Sequence, residues 1–263
     1  FTAVTYAARY GHMDTLKYLH KIELEFSAKK WKGNAVMWAA GLGDNKLLET
    51  LLKQKDCPNI NAVDAHGFSA AFWATQRGKL QTLDTLRRAG ASLELKSESG
   101  MSLLIAAAYN GHVEVCVYLL EQGANIDEED HSGWTAIMWA ALGGKLNVVK
   151  VLEVHGACVK PKQGRWDPLM VASTGGHTDV IEWFLARGHS FTGMNHEGKT
   201  ASRIAEENGH YEISALLTRM WEINQWHAQK TKAGEVDAAS REMALRRQAE
   251  VVVAAQNDNI TDA

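Results

Sequence analysis

The sequence predicts an all-α solenoid of seven helix-turn-helix units with connecting hairpin-like loops, followed by a helical C-terminal extension. Three observations predict it. An alanine slot recurs at Ala7, Ala39, Ala74, Ala107, Ala140, Ala172 and Ala205, with spacings of 32, 35, 33, 33, 32 and 33 residues. Four residues after each alanine stands a glycine: Gly11, Gly43, Gly78, Gly111, Gly144, Gly176 and Gly209. Five residues before each alanine stands Thr2, Asn34, Ser69, Ser102, Thr135, Asp167 or Thr200. A period of this length marks a repeat architecture, in which one pair of helices cannot bury its apolar face alone and stacked copies can.

Each element of the unit follows from a residue type. The polar residue before the alanine caps the free amides of a helix start. The glycine adopts the left-handed conformation that closes that helix at low cost. Twelve residues after each alanine comes Leu19, Leu51, Leu86, Leu119, Leu152, Phe184 or Leu217, preceded by apolar residues such as Val115, Val148, Val180 and Ile213. That is helical spacing for a second, buried helix. A further glycine ends it in four units, at Gly90, Gly123, Gly156 and Gly188. A loop of about a dozen residues then leads to the next cap.

This unit resembles the ankyrin repeat, with its pattern Asp-x-x-Gly-x-Thr-Pro-Leu-His-x-Ala-Ala-x-x-Gly-His. "DEEDHSGWTAIMWAALGG" and "KSESGMSLLIAAAYNGH" carry the likeness best, and "NHEGKTASRIAEENGH" matches at its Gly, Thr and Gly-His. The resemblance covers residues 1–218, with the first repeat incomplete at its leading loop, and implies a protein-binding function. The chain departs from it at the family's first His, which is replaced by Thr5, Met37, Phe72, Ile105, Met138, Met170 and Arg203. Five of these seven are apolar, so packing is expected to replace the polar network that the family's His implies. The Pro survives only as Pro168, suited to a first helical turn.

Beyond Leu217 the period stops. Residues 219–263 read as a helical extension with a loose end. Ile213, Leu217, Met220 and Ile223 continue one apolar stripe, so the last repeat helix is expected to run past its usual end. Gly234 divides it from a second helix, where Val236, Ala239 and Met243 make one stripe and Leu245, Ala249 and Val252 another. Capping of the last repeat and contact with a partner are both open to this tail.

Composition narrows the function. A net charge of −3 with 28 Lys and Arg spread along the chain gives no broad basic surface, so no nucleic-acid partner is expected. No apolar run approaches the roughly 20 residues of a membrane span, and direct membrane insertion is not expected. Cys57, Cys116 and Cys158 are scattered, without a CxxC pair, which points to an intracellular, reducing compartment, the cytoplasm foremost. The chain opens at Phe1 rather than Met. That reads as a trimmed product, and removal of a targeting peptide would place it inside an organelle.

No motif for catalysis emerges, and no cofactor or metal is expected. "GLGDNK" lacks the third glycine of a dinucleotide loop, and "LGGKL" lacks the Ser or Thr and the leading Gly of a phosphate loop. Of the eleven histidines, His12, His112, His177 and His210 fall in the Gly-His slot, where a structural role explains them. Cys116 reads as core filler.

The slot just before the cap is the informative one. It holds Phe1, Gly33, Phe68, Met101, Trp134, Trp166 and Lys199, at a place the resemblance marks as variable and facing the groove. Contiguous apolar surface of this kind marks an interaction site. Phe68, Met101, Trp134 and Trp166, widened by Tyr109 and Leu142, are the candidate partner-binding residues, and Trp226 is the candidate in the tail. They would take an extended segment or an amphipathic helix of another protein. The competing reading is that these side chains fold onto neighbouring loops and seal the stack. Trp38, Trp73 and Trp139, one residue before the alanine, read as packing between core and groove. Three roles remain open: an adaptor, a fixed subunit of a large assembly, and the targeting arm of an enzyme whose catalytic part lies upstream.

Overall fold

The structure, a computed structural model, describes residues 32–53, 59–159 and 165–232. Six helix pairs run through them. They are α1 (Lys32–Leu42) with α2 (Asn45–Leu52), α3 (Ala70–Gln76) with α4 (Leu80–Arg88), α5 (Leu103–Asn110) with α6 (Val113–Glu121), α7 (Ala136–Leu142) with α8 (Leu146–Val154), α9 (Pro168–Gly175) with α10 (Thr178–Ala186), and α11 (Ala201–Glu207) with α12 (Tyr211–Lys232). The first unit of the sequence, with Thr2, Ala7, Gly11 and Leu19, lies outside the described residues, as does Cys57.

The chain divides into two compact units, Phe1–Gly133 and Trp134–Ala263. In the first, α1, α3 and α5 pack as one row and α2, α4 and α6 as another. In the second, α7, α9 and α11 form one row, α8 lies against α10, and α12 packs on α11. This is the all-α repeat solenoid that the period predicts.

The caps and turns explain why each helix starts and stops. Ser69, Ser102, Asp167 and Thr200 hold extended backbone and accept hydrogen bonds from the amides of Phe72, Ile105, Met170 and Arg203, at 3.2, 3.4, 2.8 and 3.4 Å. Each such cap is worth about 1 kcal/mol. Thr135 holds the same backbone position, but its buried hydroxyl has no hydrogen-bond partner. Asn34 departs from expectation. Helix α1 begins at Lys32, two residues before the slot at which the later units turn, so Asn34 lies inside the first turn instead of capping it. The closing glycines Gly43, Gly78, Gly111, Gly144, Gly176 and Gly209 all have positive φ, between 63° and 83°.

The core follows the slots. Leu51, Leu86, Leu119, Leu152, Phe184 and Leu217 are buried, as are Met37, Phe72, Ile105, Met138 and Met170 at the position of the family's His. A fully buried side chain of this size contributes about 1.5–3 kcal/mol, so packing has taken over where the family's polar residue is absent. Arg203 alone among the described residues of that slot is charged. It stays at the surface and pairs with Glu206 at 3.0 Å and Glu207 at 3.1 Å. The last helix continues unbroken to Lys232 with Ile213, Leu217 and Met220 buried. Gly234 and the second tail helix lie outside the described residues.

Candidate functional site

The loops are built before the surface they carry. Ten residues before Ala74, Ala107, Ala140 and Ala205 stand Asp64, Ser97, Asp130 and Asn195, and each organises a tight finger. Asp64 Oδ1 accepts the amides of His66 and Phe68 at 2.9 and 3.0 Å. Ser97 Oγ accepts the amide of Met101 at 3.1 Å, and Asn195 Oδ1 accepts those of Glu197 and Lys199, both at 3.0 Å. The residue before the cap is therefore held through its own backbone by the base of the finger. Neighbouring fingertips in the first unit are joined in turn: the Glu98 amide donates to the His66 carbonyl at 3.0 Å, and the His131 amide to the Ser99 carbonyl at 3.1 Å. Gly67 is required there, because its φ is +76° and a Cβ would come within 2.6 Å of the Glu98 nitrogen.

On this frame the aromatic residues group together. In the first unit the Phe68 ring stacks on Phe72 with centroids 4.3 Å apart and meets Trp73 edge-on at 5.8 Å. Trp73 lies 5.5 Å from Trp38 and donates its indole N–H to Asp64 Oδ2 at 3.1 Å. In the second unit Trp134 lies 5.2 Å from Trp139 and 6.1 Å from Trp166. These are the offset and tilted arrangements that aromatic quadrupoles favour.

The sequence-derived candidates thus take two forms. Phe68, Met101, Trp134, Leu142 and Trp166 are half-buried, one side on their own chain and the other reaching solvent. Tyr109 on α5 and Trp226 on α12 are open, at 42% and 54% exposure. Trp38, Trp73 and Trp139, read from sequence as packing, belong to the same aromatic groups as the candidates. The exposed Met194 and Trp221 carried no periodic signal, since they sit only at the last repeat.

The Gly-His slot has the structural role expected of it. His112, His177 and His210 each reach a carbonyl at the C-terminal end of the preceding first helix, on Gln76, Leu142 and Thr174, at 3.0, 2.8 and 3.2 Å. Such carbonyls are left without partners by the helix itself. The imidazole passes so close that a Cβ on Gly78 would come within 2.6 Å of His112 Nδ1. At Gly78, Gly144 and Gly176 glycine is thus needed twice, for its φ and for its lack of a side chain.

Away from the fingers, the second helices carry polar joints. The Tyr118 hydroxyl donates to Asp84 Oδ1 at 3.0 Å and accepts from Arg87 Nε at 2.8 Å. Glu153 accepts from the Trp183 indole at 2.8 Å, Arg187 Nε at 3.1 Å and His189 Nε2 at 3.0 Å. Lys150 and Arg187 lie over the Trp183 ring at 4.7 and 5.1 Å. Burial raises the Glu153 carboxyl, but the three donors outweigh it and hold the group below the usual glutamate range. At Asp84 the Tyr118 hydroxyl is the largest influence, and together with Arg87 and Arg88 it holds that carboxyl down as well. Burial alone pushes the Cys116 thiol up to about 12, as befits a core filler.

Among the described residues no cluster of His, Cys, Asp and Glu is able to hold a metal ion. Among them, too, no helix is long and apolar enough to cross a membrane.

Paired short helices, fingers joined tip to tip and first-helix rows closed by glycine define a repeat scaffold of the protein-interaction class. The family model described as ankyrin repeats (3 copies) matches residues 4–97 and 71–163, and the chain belongs to the ankyrin-repeat family. It is also similar to the palmitoyltransferase AKR1 of Lachancea kluyveri, 36% identical over 73 residues, which is 28% of this chain and 10% of that protein. The chain therefore spans a small fraction of the length of that relative.

Proposed function

We propose that this chain is a non-catalytic protein-interaction module acting within the cell. Each compact unit presents its own patch of the cap-preceding slot: Phe68 and Met101 with Tyr109 in the first, Trp134 and Trp166 with Leu142 in the second. The observation that carries this reading is that large aromatic side chains are held half-open on a hydrogen-bonded frame. Rigid aromatic anchors lose little conformational entropy on binding and dominate interface energies. The occupant is an extended segment or amphipathic helix bearing apolar side chains, with the fingertip residues Glu98, Ser99, His131, Ser132, His196 and Glu197 contributing selectivity at the rim. Trp226 offers a separate contact on α12. Reversible recruitment, as by an adaptor, suits these modest patches better than burial as a fixed subunit of a large assembly.

Trp134→Ala combined with Trp166→Ala tests the reading. Proteins crosslinked to the chain in cells are identified by mass spectrometry for the native chain and the double variant, alongside thermal unfolding of both. Loss of specific crosslinked proteins from a variant that still folds is the expected outcome. An unchanged set, with stability alone reduced, means that the indoles only seal the stack.

A second reading rests on the similarity to a protein named a palmitoyltransferase. There the repeats would serve as the targeting arm of an enzyme, still binding protein, with catalysis carried by another part of the polypeptide. The full reading frame decides between an isolated module and such an arm.

A further inference from the structure

Three successive fingers border the patch of the first unit, and their charges are one-sided. In the stretches 62–69, 94–101 and 127–132 carboxylates come from Asp64, Glu94, Glu98 and the run Asp127-Glu128-Glu129-Asp130, against the single cation Lys96, with histidines taken as neutral. Asp64 and Asp130 serve inside their own fingers, on the amides of His66, Phe68 and Ser132. Lys96 reaches Glu128 of the next finger at 2.6 Å. The fingers stay net negative whatever pairs form within them, because Glu94, Glu98, Asp127 and Glu129 add four carboxylates at or near the surface. The finger of the last repeat, by contrast, matches Glu197 with Lys199 at 2.8 Å.

This charge lies against apolar side chains. Glu98 and Met101 belong to one turn, closed by the Gly100 amide on the Ser97 carbonyl at 2.9 Å and the Ser97 amide on the Met101 carbonyl at 3.1 Å. The Glu98 amide also donates to the His66 carbonyl at 3.0 Å, two residues from Phe68. Its backbone thus ties the turn of Phe68 to that of Met101, while its side chain is exposed. Tyr109, on the helix that follows Met101, is 42% exposed. The patch is apolar, and its border fixes the charge of what covers it.

Resting on the docking reading above, we propose that the occupant of this patch is a basic segment of another protein, with apolar side chains on Phe68, Met101 and Tyr109 and lysine or arginine at the acidic fingers. Floor and border favour the same side chains. Lys and Arg lay apolar stems along an apolar surface while their charged heads reach carboxylates, and a guanidinium stacks on an exposed ring such as that of Tyr109. Nucleic acid and anionic lipid are repelled by the same border. Packed helices lie about 8–10 Å apart, and an extended chain advances about 3.3 Å per residue. Cations that serve successive fingers therefore fall about three residues apart in the partner.

The test selects a phage library of random twelve-residue peptides on the full chain and sequences the binders that fail to bind Tyr109→Ala. An excess of Lys and Arg over Asp and Glu, beside apolar residues, is expected. Binders without that excess overturn the inference and leave the docking reading intact, whereas the absence of any Tyr109-dependent binder overturns both. Glu98→Lys supplies a second measurement, since its exposed side chain reverses charge without entering the core, and circular dichroism checks that both variants fold. Fluorescence anisotropy of a selected peptide is expected to show about tenfold weaker binding to Glu98→Lys than to the native chain. Binding to the native chain is also expected to weaken as NaCl is raised from about 50 to about 300 mM. Affinity unchanged by Glu98→Lys, or indifferent to salt, overturns the proposal.

Discussion

In the first compact unit a phenol ties one second helix to the next, and in the second unit an indole does. Tyr118 and Trp183 both stand eleven residues after their repeat alanine, and both reach the residue thirteen after the preceding one, Arg87 and Glu153. Position is conserved between the two joints while chemistry is exchanged. At Tyr118 the ring oxygen both donates and accepts, linking a carboxylate and a guanidinium that also bond each other. At Trp183 the ring only donates, so all the acceptor capacity comes from Glu153, which takes three donors. The Glu153 side chain is 11% exposed and that of Asp84 25%. A joint with a single enclosed acceptor is more vulnerable to loss of one group than a joint whose members also pair among themselves.

The largest effect is expected where the two units do not differ. Gly78→Ala and Gly144→Ala each place a Cβ at positive φ and drive it into the imidazole of His112 or His177. Each is expected to cost about 2–3 kcal/mol in chemical denaturation, because the helix end is strained and the bond to Gln76 or Leu142 is displaced. Equal losses confirm that the first-helix rows are built alike in the two units. A loss confined to one of them breaks that equivalence.

These glycines were legible in the sequence because they recur, and so were the caps, the buried leucines and the structural histidines. Asn34 misled because a slot records a residue type and says nothing of where the chain enters the helix. The joints at Tyr118 and Trp183 were not legible, since the slot that holds them reads Tyr18, Thr50, Thr85, Val151 and Leu216 in the other repeats, with no constant residue type to mark it. The aromatic slot was legible as a row of residues but not as a degree of burial. Whether Phe68 stacks on Phe72 depends on how Asp64 folds the finger, a hydrogen-bond geometry with no periodic signature.

Glu153→Gln comes next. The amide keeps one acceptor for Trp183 but gives up the charge that holds Arg187 and His189, and a loss of about 2 kcal/mol is expected at neutral pH. The sign of the pH dependence follows from the lowered carboxyl. Stability from Glu153 is complete above the ordinary glutamate value of 4.5 and drains away as pH falls through the lower folded value. Glutamine resembles the protonated acid, so the gap between native chain and variant is expected to close on acidification below that value. Urea melts from pH 7 down to pH 3 measure it, and a gap independent of pH shows that Glu153 acts by packing rather than by charge.

The smallest effect separates the two joints most clearly. Tyr118→Phe removes the hydroxyl while leaving the ring in place, and Arg87 still reaches Asp84 at 3.2 Å, with Arg88 on its other oxygen at 2.6 Å. Solvent reaches both partners, so their lost bonds are replaced by water, and about 0.5 kcal/mol is expected. Trp183→Phe deletes the indole N–H in the second unit, together with part of the ring under Lys150 and Arg187, where Glu153 is enclosed and the indole N–H has no substitute of its own. A larger loss for Trp183→Phe than for Tyr118→Phe, in denaturant melts of the two single variants, ties the difference to burial of the acceptor. Equal losses would instead assign it to the bonds each ring makes, and the enclosed carboxylate would cease to distinguish the units.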